Sequence, residues 1–367
     1  MSTFIRDFIE REKINRRNFL LASAMGAGSL MLPGSLRRAV AADGTAMAWS
    51  YRDRASAYWN AIVSGGEAYV ESLGLNKSAM TSLINEGSSE KSLSDIKAFL
   101  AKNNGNCAIA CDPNDSPNAR PVVEATKAAG GYISTIWNKA DDLHPWDFGD
   151  NYVSHMSWSG VQPSKEAAIK LIEAMGGKGA IVHVGGIPAN IPAIERLEGL
   201  KQALAEYPDV QLLDVQSADW DTAKAASLMS SFITRYGDEI TGVHCANDNM
   251  AYGVLEALKA EGMTLPVTGF DGNPEAVKMV IDGELLATVF TNPFWGGGIS
   301  LALAHQAATG AFKPSDEPHD HREFYGPSIV VTKADAEAFK AKYMDANPVY
   351  DWNDRWSLAA GPIVYSK

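Results

Sequence analysis

The sequence predicts an α/β protein built on parallel β-sheets. From residue 45 to residue 291, short apolar runs alternate with longer segments that have the apolar period of an amphipathic helix. This alternation is typical of βαβ units, in which helices connect parallel strands. Glycines stand directly after several helical segments, as at Gly130, Gly176, Gly237 and Gly262, where a left-handed cap favours this residue. A length of 367 residues is near the point where one core divides into two.

The strands are predicted from apolar runs, which indicate burial within a sheet. In chain order they are 45–49, 80–85, 106–111, 132–136, 151–157, 179–184, 210–215, 240–245, 265–269 and 287–291. The segment 151–157 lies within an irregular stretch, 138–162, and we interpret it as a strand that crosses between two domains.

The helices are predicted from apolar residues at spacings of three and four, such as Trp59, Ile62, Val63 and Val70 in the first of them. In chain order they are 56–73, 92–102, 119–129, 164–175, 193–207, 222–236, 249–261 and 274–282. We interpret the glycine triplet 296–298 as part of a loop or the start of a helix.

Residues 1–42 have the pattern of an export signal. A basic start leads to Arg16-Arg17, an apolar stretch covers 20–32, and small residues end the segment at 39–42. The arginine pair before Phe19-Leu20 resembles a twin-arginine signal. The apolar stretch is shorter than the ~20 residues that span a bilayer. We therefore expect a periplasmic mature protein, with an amphipathic N-terminal helix or an uncleaved anchor as alternatives.

Composition excludes several classes of protein. The formal net charge of −12 argues against nucleic acid as a partner, because phosphate binding needs clustered Lys and Arg. Cys107, Cys111 and Cys245 are interpreted as buried thiols. Four strand steps, about 13 Å, separate the first two, which is too far for a disulfide bond.

Two glycine pairs and a histidine motif are candidate sites for a phosphate group or a metal. The glycine pairs 176–177 and 185–186 do not form a phosphate loop, and we expect no cofactor. His319-Asp320-His321 is interpreted as a loop or hinge, with a metal site as the alternative.

Three segments carry a resemblance to a known family. They are Val243 to Gly253, with Asn247-Asp248-Asn249 at its centre, Val267 to Pro274, and Gly283 to Val289. Together they resemble the C-terminal lobe of the ribose/galactose-type periplasmic sugar-binding proteins, in which two doubly wound lobes close on a ligand. The resemblance implies a three-stranded hinge, with crossings near 157–160, 291–293 and 320–324. The lobes would then be 43–157 plus 292–322 and 158–291 plus 323–345, followed by a tail, 346–367.

Candidate ligand-binding residues come from the ends of the predicted strands. In open α/β sheets, ligands bind beyond the carboxyl ends of the strands, so side chains that follow each strand are candidates. They are Tyr58, Trp59, Asp112, Trp137, Asn138, Trp158, Trp220, Asn247, Asp271 and Thr291. Indole rings stack on the apolar faces of sugars, and carboxylates and carboxamides bind their hydroxyl groups. Core packing is the alternative for Tyr58, Trp59 and Trp220, and Asp248 is expected to cap the helix that follows it.

One position departs from the pattern of the family. Its sugar binders usually carry an arginine that reaches the ligand after the segment equivalent to 185–188, and by spacing that position is Ile194. We interpret Arg196 as a structural residue, so that Arg52 or Arg54 would have to replace the missing donor. A cleft rich in tryptophan but without this arginine favours a small ligand, such as a pentose, a tetrose or a sugar alcohol.

These observations favour a solute-binding receptor over an enzyme. We expect a monomeric receptor that delivers a small sugar or polyol to the membrane permease of an ABC-type importer. A periplasmic sugar sensor that acts on a membrane receptor and a twin-arginine-exported sugar-processing enzyme are the alternatives. The role of the aromatic tail, Tyr350 to Trp356, is left open between wrapping a lobe and docking a partner.

Overall fold

Two six-stranded sheets organise the chain in this computed structural model. The structure describes residues 44–346 and 348–365, so the predicted export signal lies outside the described residues. The strands are Ala46–Tyr51 (β1), Met80–Ile84 (β2), Cys107–Cys111 (β3), Tyr132–Ile136 (β4), Tyr152–Ser157 (β5), Gly179–Gly185 (β6), Val210–Ser217 (β7), Gly242–Cys245 (β8), Val267–Thr268 (β9), Ala287–Phe290 (β10), Glu323–Tyr325 (β11) and Ile329–Thr332 (β12).

Nearly all strand pairs are parallel. The first sheet has the order β11-β5-β4-β3-β1-β2 and the second has the order β12-β10-β9-β8-β6-β7. Only β12 runs antiparallel to its neighbour, β10, among the strand pairs of the described chain. Each sheet with its helices forms one lobe, and we call them the first and the second lobe. The predicted α/β class with two doubly wound lobes is confirmed.

Helices flank both sheets. The longer ones are Ala57–Ser72 (α1), Ser89–Lys102 (α2), Ser116–Ala129 (α3), Val161–Ala174 (α4), Ile191–Glu206 (α5), Thr222–Tyr236 (α6), Asp248–Ala260 (α7), Pro274–Asp282 (α8) and Pro293–Ala308 (α9). Two short ones, His319–Arg322 and Ala336–Lys340, complete the described set, with single turns at Lys77–Ala79, Pro145–Phe148, Gly237–Glu239, Pro314–Asp316 and Ala341–Asp345.

Among the elements of the described residues, helix α9 is the one long element that the sequence does not predict. It packs on α1 and on strands β3 to β5, and 14 of its 16 residues are buried. Its glycines permit the close approach, because a Cβ atom on Gly297 would lie 1.8 Å from the carbonyl oxygen of Ile62. The triplet 296–298 therefore lies inside a helix, where it allows two backbones to meet.

The chain crosses between the lobes at three hinge segments. Strand β5 belongs wholly to the first sheet, so the prediction that 151–157 crosses between domains is wrong, and the crossing follows Ser157. The second crossing separates β10 from α9. The third lies between β11 and β12, because Glu323 begins a strand that pairs with β5. The lobe boundary predicted at 322 therefore lies three residues or more too early, since buried Glu323 binds Lys139 of the first lobe at 3.3 Å.

The tail, residues 348–365, lies on the first lobe. The indole of Trp352 is buried against α9, where a Cβ atom on Gly298 would lie 2.2 Å from its ring. Farther along, the amide of Tyr325 donates to the carbonyl of Gly361 at 2.8 Å, and the amide of Ala360 donates to the carbonyl of Tyr325 at 2.7 Å. Of the two roles that the sequence left open, wrapping a lobe is the one observed.

The three cysteines are buried free thiols, as predicted. Burial raises the pKa of the Cys107 thiol to about 11, which keeps it protonated at neutral pH. Among the described residues, no helix has the length and the apolar character needed to cross a membrane.

Candidate functional site

A cavity lies between the lobes, at the carboxyl ends of the parallel strands. Side chains from both lobes line it: Arg52, Asp53, Ser56, Tyr58, Trp59, Asp112, Asn114, Trp137, Asn138, Asn190, Pro192, Arg196, Trp220, Asn247, Asn249 and Asp271. Eight of the ten predicted site residues are in this set. The rule that ligands bind beyond strand ends therefore predicted the location of the cavity from the sequence.

The first lobe supplies a hydrogen-bonded wall. The indole N–H of Trp137 donates to the phenol oxygen of Tyr58 at 3.0 Å, and the Asn138 amide donates to the Asp112 carboxylate at 3.1 Å. Burial raises the pKa of Asp112 to about 6, although the Asn138 hydrogen bond and the Arg52 charge oppose the rise. This wall therefore presents an aromatic surface next to a strong hydrogen-bond acceptor.

The second lobe supplies a buried arginine that the sequence interpretation discounted. Arg196 is 3% exposed, lines the cavity and donates to the carbonyl of Ala246 at 2.6 Å and to the Asp271 carboxylate at 3.4 Å. The expectation that a central charged donor is missing is wrong. Ile194 is 52% exposed because, two residues from Arg196 on the same helix, it points to the opposite side.

Aromatic rings surround the Arg196 guanidinium. Its central carbon lies 3.7 Å from the ring centre of Phe270, 5.3 Å from that of Trp137 and 5.5 Å from that of Trp220. Within the described chain, its Nε meets no acceptor. Cation–π contacts and the Asp271 carboxylate compensate for the loss of hydration of the guanidinium.

Asp271 is held between Arg196 and Asn247. Burial raises its pKa to about 7, while the Arg196 charge and the hydrogen bond from Asn247 act in the opposite direction. The Asn247 oxygen also accepts from the amide of Met250 at 2.9 Å and caps helix α7. The cap expected from Asp248 is therefore wrong. Asp248 is buried and accepts from Thr288 at 2.6 Å.

Strained backbone is concentrated around the cavity. Four of its lining residues have positive φ without being glycine: Asn114 (68°), Trp137 (62°), Trp220 (67°) and Asp271 (120°). Such values are uncommon and cost about 1–3 kcal/mol each, and they persist where the surroundings determine them. The strain indicates that the positions of these side chains are maintained at the cost of unfavourable backbone angles.

Two predicted site residues lie behind the cavity wall. Trp158 is fully buried, with its ring centre 4.5 Å from that of Trp137. Thr291 is fully buried beside the Tyr58 phenol and lowers its pKa, against the larger rise caused by burial. Neither is a lining residue, and both support residues that are.

Direct hydrogen bonds join the lobes across the cleft. The side-chain amide of Asn190, in the second lobe, donates to the backbone carbonyl of Asn114, in the first lobe, at 2.5 Å. The side-chain oxygen of Asn138, in the first lobe, accepts from the backbone amide of Ile191, in the second lobe, at 3.1 Å. Arg52 adds a longer bond, 3.4 Å, to the carbonyl of Asp219. Such partners could not be predicted from the sequence, because they depend on the relative orientation of the lobes.

The two arginines of the first loop differ in position. Arg52 lines the cavity, whereas Arg54 turns away and donates to the Ser82 hydroxyl at 3.0 Å. Of the two proposed replacements, only Arg52 is therefore placed to approach a ligand. Asn114, Asn190 and Asn249 also line the cavity, although they are not among the predicted site residues. Each of them follows a predicted strand or begins a predicted helix, and this position could have identified them as candidates for the cavity.

The prediction that 319–321 is a loop or hinge is wrong, because the segment belongs to the short helix His319–Arg322, which packs on β5 of the first lobe. His319 stacks on Trp146, with ring centres 3.7 Å apart, and His321 stacks on Trp356 at 4.4 Å. The part of the chain that the structure describes contains no group of three or more His, Cys, Asp or Glu side chains arranged to hold a metal ion.

Fold and cavity together define a two-lobed solute-binding protein. A family model described as a periplasmic binding protein domain matches residues 47–311. The chain belongs to the periplasmic binding protein domain family, and it is a binding protein rather than an enzyme.

Among the curated relatives, the D-allose-binding periplasmic protein of Escherichia coli (strain K12) is 30% identical over 75% of this chain and 88% of its own length. The xylitol-binding protein of Mycolicibacterium smegmatis is 31% identical over 59% of this chain, and the match spans 60% of that relative.

Solved structures resemble this one. A twin-arginine translocation pathway signal protein from Burkholderia phytofirmans has a TM-score of 0.84 and 44% identity, covering 88% of this chain and 99% of that one. An ABC transporter periplasmic solute binding protein from Actinobacillus succinogenes, with bound D-allose, has a TM-score of 0.69 and 24% identity over 80% of this chain and 99% of its own. The second likeness supports the fold alone.

Proposed function

We propose that this protein is the solute-binding receptor of an ABC-type importer and that it binds a small sugar or sugar alcohol between its lobes. One observation carries the proposal: aromatic, carboxylate and carboxamide side chains from both lobes line the same cavity as Arg196. Indole rings fit the C–H faces of a sugar, and the polar tips bind its hydroxyl groups. Relatives named for allose, ribose and xylitol support this ligand class.

Closure would be the mechanism of capture. A ligand that contacts both lobes favours the closed state by its differential affinity for that state. Tyr58, Asp112 and Asn138 would contact it from the first lobe, and Trp220, Asn247 and Asp271 from the second. A permease would then recognise the closed form.

A thermal-shift screen tests the proposal. The purified protein is heated with pentoses, hexoses and C4–C6 polyols, and a ligand at 100 times its dissociation constant adds about 2.7 kcal/mol of stability. Asp271→Asn and Trp220→Ala should each remove most of the shift, whereas exposed Asp316→Ala should retain it. If no sugar or polyol raises the melting temperature, the proposed ligand class is wrong. Recovery of the bound sugar unchanged separates the receptor from the enzyme alternative.

We also propose export to the periplasm through the twin-arginine route. The pair Arg16-Arg17 in the predicted signal and the likeness to a twin-arginine pathway signal protein support it. Residues 1–42 fused to a reporter that must fold before export should deliver it to the periplasm. Replacing both arginines with lysine should retain the reporter in the cytoplasm. Continued export of the lysine variant would contradict the route.

A further inference from the structure

Asn190 occupies the N-cap position of helix α5 but does not cap it. An asparagine at this position ordinarily accepts a hydrogen bond from an amide of the first helical turn. Here its backbone has the extended conformation of an N-cap, with φ −86° and ψ 131°, yet its side chain makes no such bond. The carboxamide is 4% exposed and is used elsewhere.

Both ends of the Asn190 carboxamide have other partners. Its amide donates to the carbonyl of Asn114 in the first lobe at 2.5 Å. Its oxygen accepts from the indole N–H of Trp220, in its own lobe, at 2.8 Å. One planar group therefore connects the opposite lobe with an aromatic ring of the cavity.

The first lobe takes over the missing cap. The amide of Ile191, the first residue of α5, donates to the Asn138 oxygen at 3.1 Å. Since Pro192 has no amide hydrogen, Ile191 provides one of the few free amides of that turn. The amides of Ala193 and Ile194 donate to the backbone carbonyl of Asn190, at 3.1 Å and 3.2 Å, so the start of α5 does not require the Asn190 side chain as a cap.

We propose that Asn190 is a positioning residue that couples closure of the lobes to the placement of Trp220. When the lobes separate, both Asn114 and the Asn138 oxygen leave α5. The Asn190 carboxamide then loses its partner in the first lobe and rotates, so that Trp220 loses its acceptor. The ring of Trp220 is in its cavity-lining position only when the lobes are together. The consequence for a ligand rests on the proposed function, whereas the coupling itself does not.

Two substitutions separate the two halves of this arrangement. Asn190→Asp retains an acceptor for Trp220 but replaces the donor to the Asn114 carbonyl with an oxygen. Asn190→Ala removes both. Gln202→Ala, on the exposed face of the same helix, is the matched control. Trp220→Phe identifies the indole N–H signal of Trp220 in the NMR spectrum.

The lobe separation is measured without ligand, by spin labels on Lys97→Cys and Ser231→Cys, which lie on exposed positions of the two lobes. The native thiols are buried and do not take the label. We expect both Asn190 variants to shift the distance distribution relative to Gln202→Ala. We expect only Asn190→Ala to move the Trp220 indole signal in the closed fraction. Unchanged distances in Asn190→Asp, or an unmoved signal in Asn190→Ala, would overturn the coupling.

Ligand binding gives a second readout. With xylitol and D-ribose as probes, Asn190→Asp should weaken binding about fivefold to tenfold, mainly through faster dissociation, as expected for the loss of one hydrogen bond of the closed state. If the unmodified protein binds neither probe, that result counts against the proposed ligand class. The label distances and the indole signal still decide whether Asn190 couples the lobes to Trp220.

Discussion

The indole of Trp220 lies directly on the backbone of Gly186. A Cβ atom at Gly186 would lie 2.0 Å from the nearest ring atom, far inside the contact distance of two carbons. Gly186 directly follows the last residue of β6, and its φ is not positive, so an alanine fits the backbone and meets only the ring. The absence of a side chain at Gly186 therefore makes room for an aromatic ring.

Gly186→Ala should displace Trp220 and weaken ligand binding about tenfold or more, with little loss of fold stability, because the ring is half-buried at the cavity. Calorimetric titration and thermal unfolding of the variant measure the two effects. In a Trp220→Ala background the same change should add almost nothing, since the clashing partner is gone. Additive losses in the double variant would show that Gly186 acts independently of Trp220.

Ligand affinity should depend on pH through Asp271. Its pKa, raised to about 7, leaves the carboxyl group partly protonated at neutral pH, and a ligand hydroxyl donates a stronger hydrogen bond to the carboxylate than to the neutral acid. Affinity is therefore highest above pH 7 and should fall by up to about tenfold between pH 8 and pH 6. Isothermal titration across this range checks it.

Asp271→Asn is the control for this pH dependence. It removes the titrating group, so the affinity of the variant, although lower, should stay flat from pH 8 down to the pKa of Asp112, about 6. A variant that keeps the full slope between pH 8 and pH 7 would assign the dependence to another group.

The buried pair His183 and His244 should make the second lobe sensitive to acid. Their Nδ1 atoms are 2.9 Å apart, and burial lowers the pKa of His244 to about 4 and that of His183 well below its usual value. Because the unfolded imidazoles titrate near 6.5, the unfolded state takes up protons first as pH falls. The contribution of these histidines to the free energy of unfolding is fully present above pH 6.5 and is lost as the pH falls toward 4. The loss is about 3 kcal/mol for His244 alone.

Urea unfolding at pH 7.5, 6.0 and 4.5 measures this loss. Buried carboxyl groups with raised pKa values, Asp112 and Asp271, act in the opposite direction, so the informative quantity is the difference between the protein and its His244→Asn variant. The variant should be less stable at pH 7.5 and lose less stability toward pH 4.5. Parallel curves for the two proteins would contradict the assignment.

Trp352→Ala should destabilise the first lobe by about 3–5 kcal/mol, the usual cost of removing a buried tryptophan side chain. The ring is 6% exposed, and its centre lies 6.4 Å from those of Tyr69 and Phe294. Val349→Ala, three residues earlier at a position that is 96% exposed, should change nothing. Chemical unfolding of both variants provides the comparison, and equal stabilities would mean that the tail adds no free energy.

Most of the fold could be predicted because its strands and amphipathic helices carry clear periods. Helix α9 has no such period, because it is buried on nearly every side, and its three consecutive glycines are poor helix formers. Short strands such as β11 lack a period as well, and only their pairing with a neighbour defines them.

The site could be predicted in part for a related reason. The end of each strand is a local feature, so Asp112, Trp137 and Asp271 could be selected. Arg196 was missed because a motif spacing pointed to Ile194. The helical period of the buried positions 192, 193, 196, 199 and 200 places Arg196 on the inner face.

Strand β11 is the outermost strand of the first sheet, and it has three residues. Its free side is occupied by the tail, through the paired amides and carbonyls of Tyr325, Ala360 and Gly361 and the antiparallel bridge between Phe324 and Pro362. An uncovered strand margin is a template on which a second molecule can add its own backbone. By covering this edge, residues 360–362 therefore also oppose self-association. A version of the protein shortened before residue 348 should form oligomers as its concentration rises.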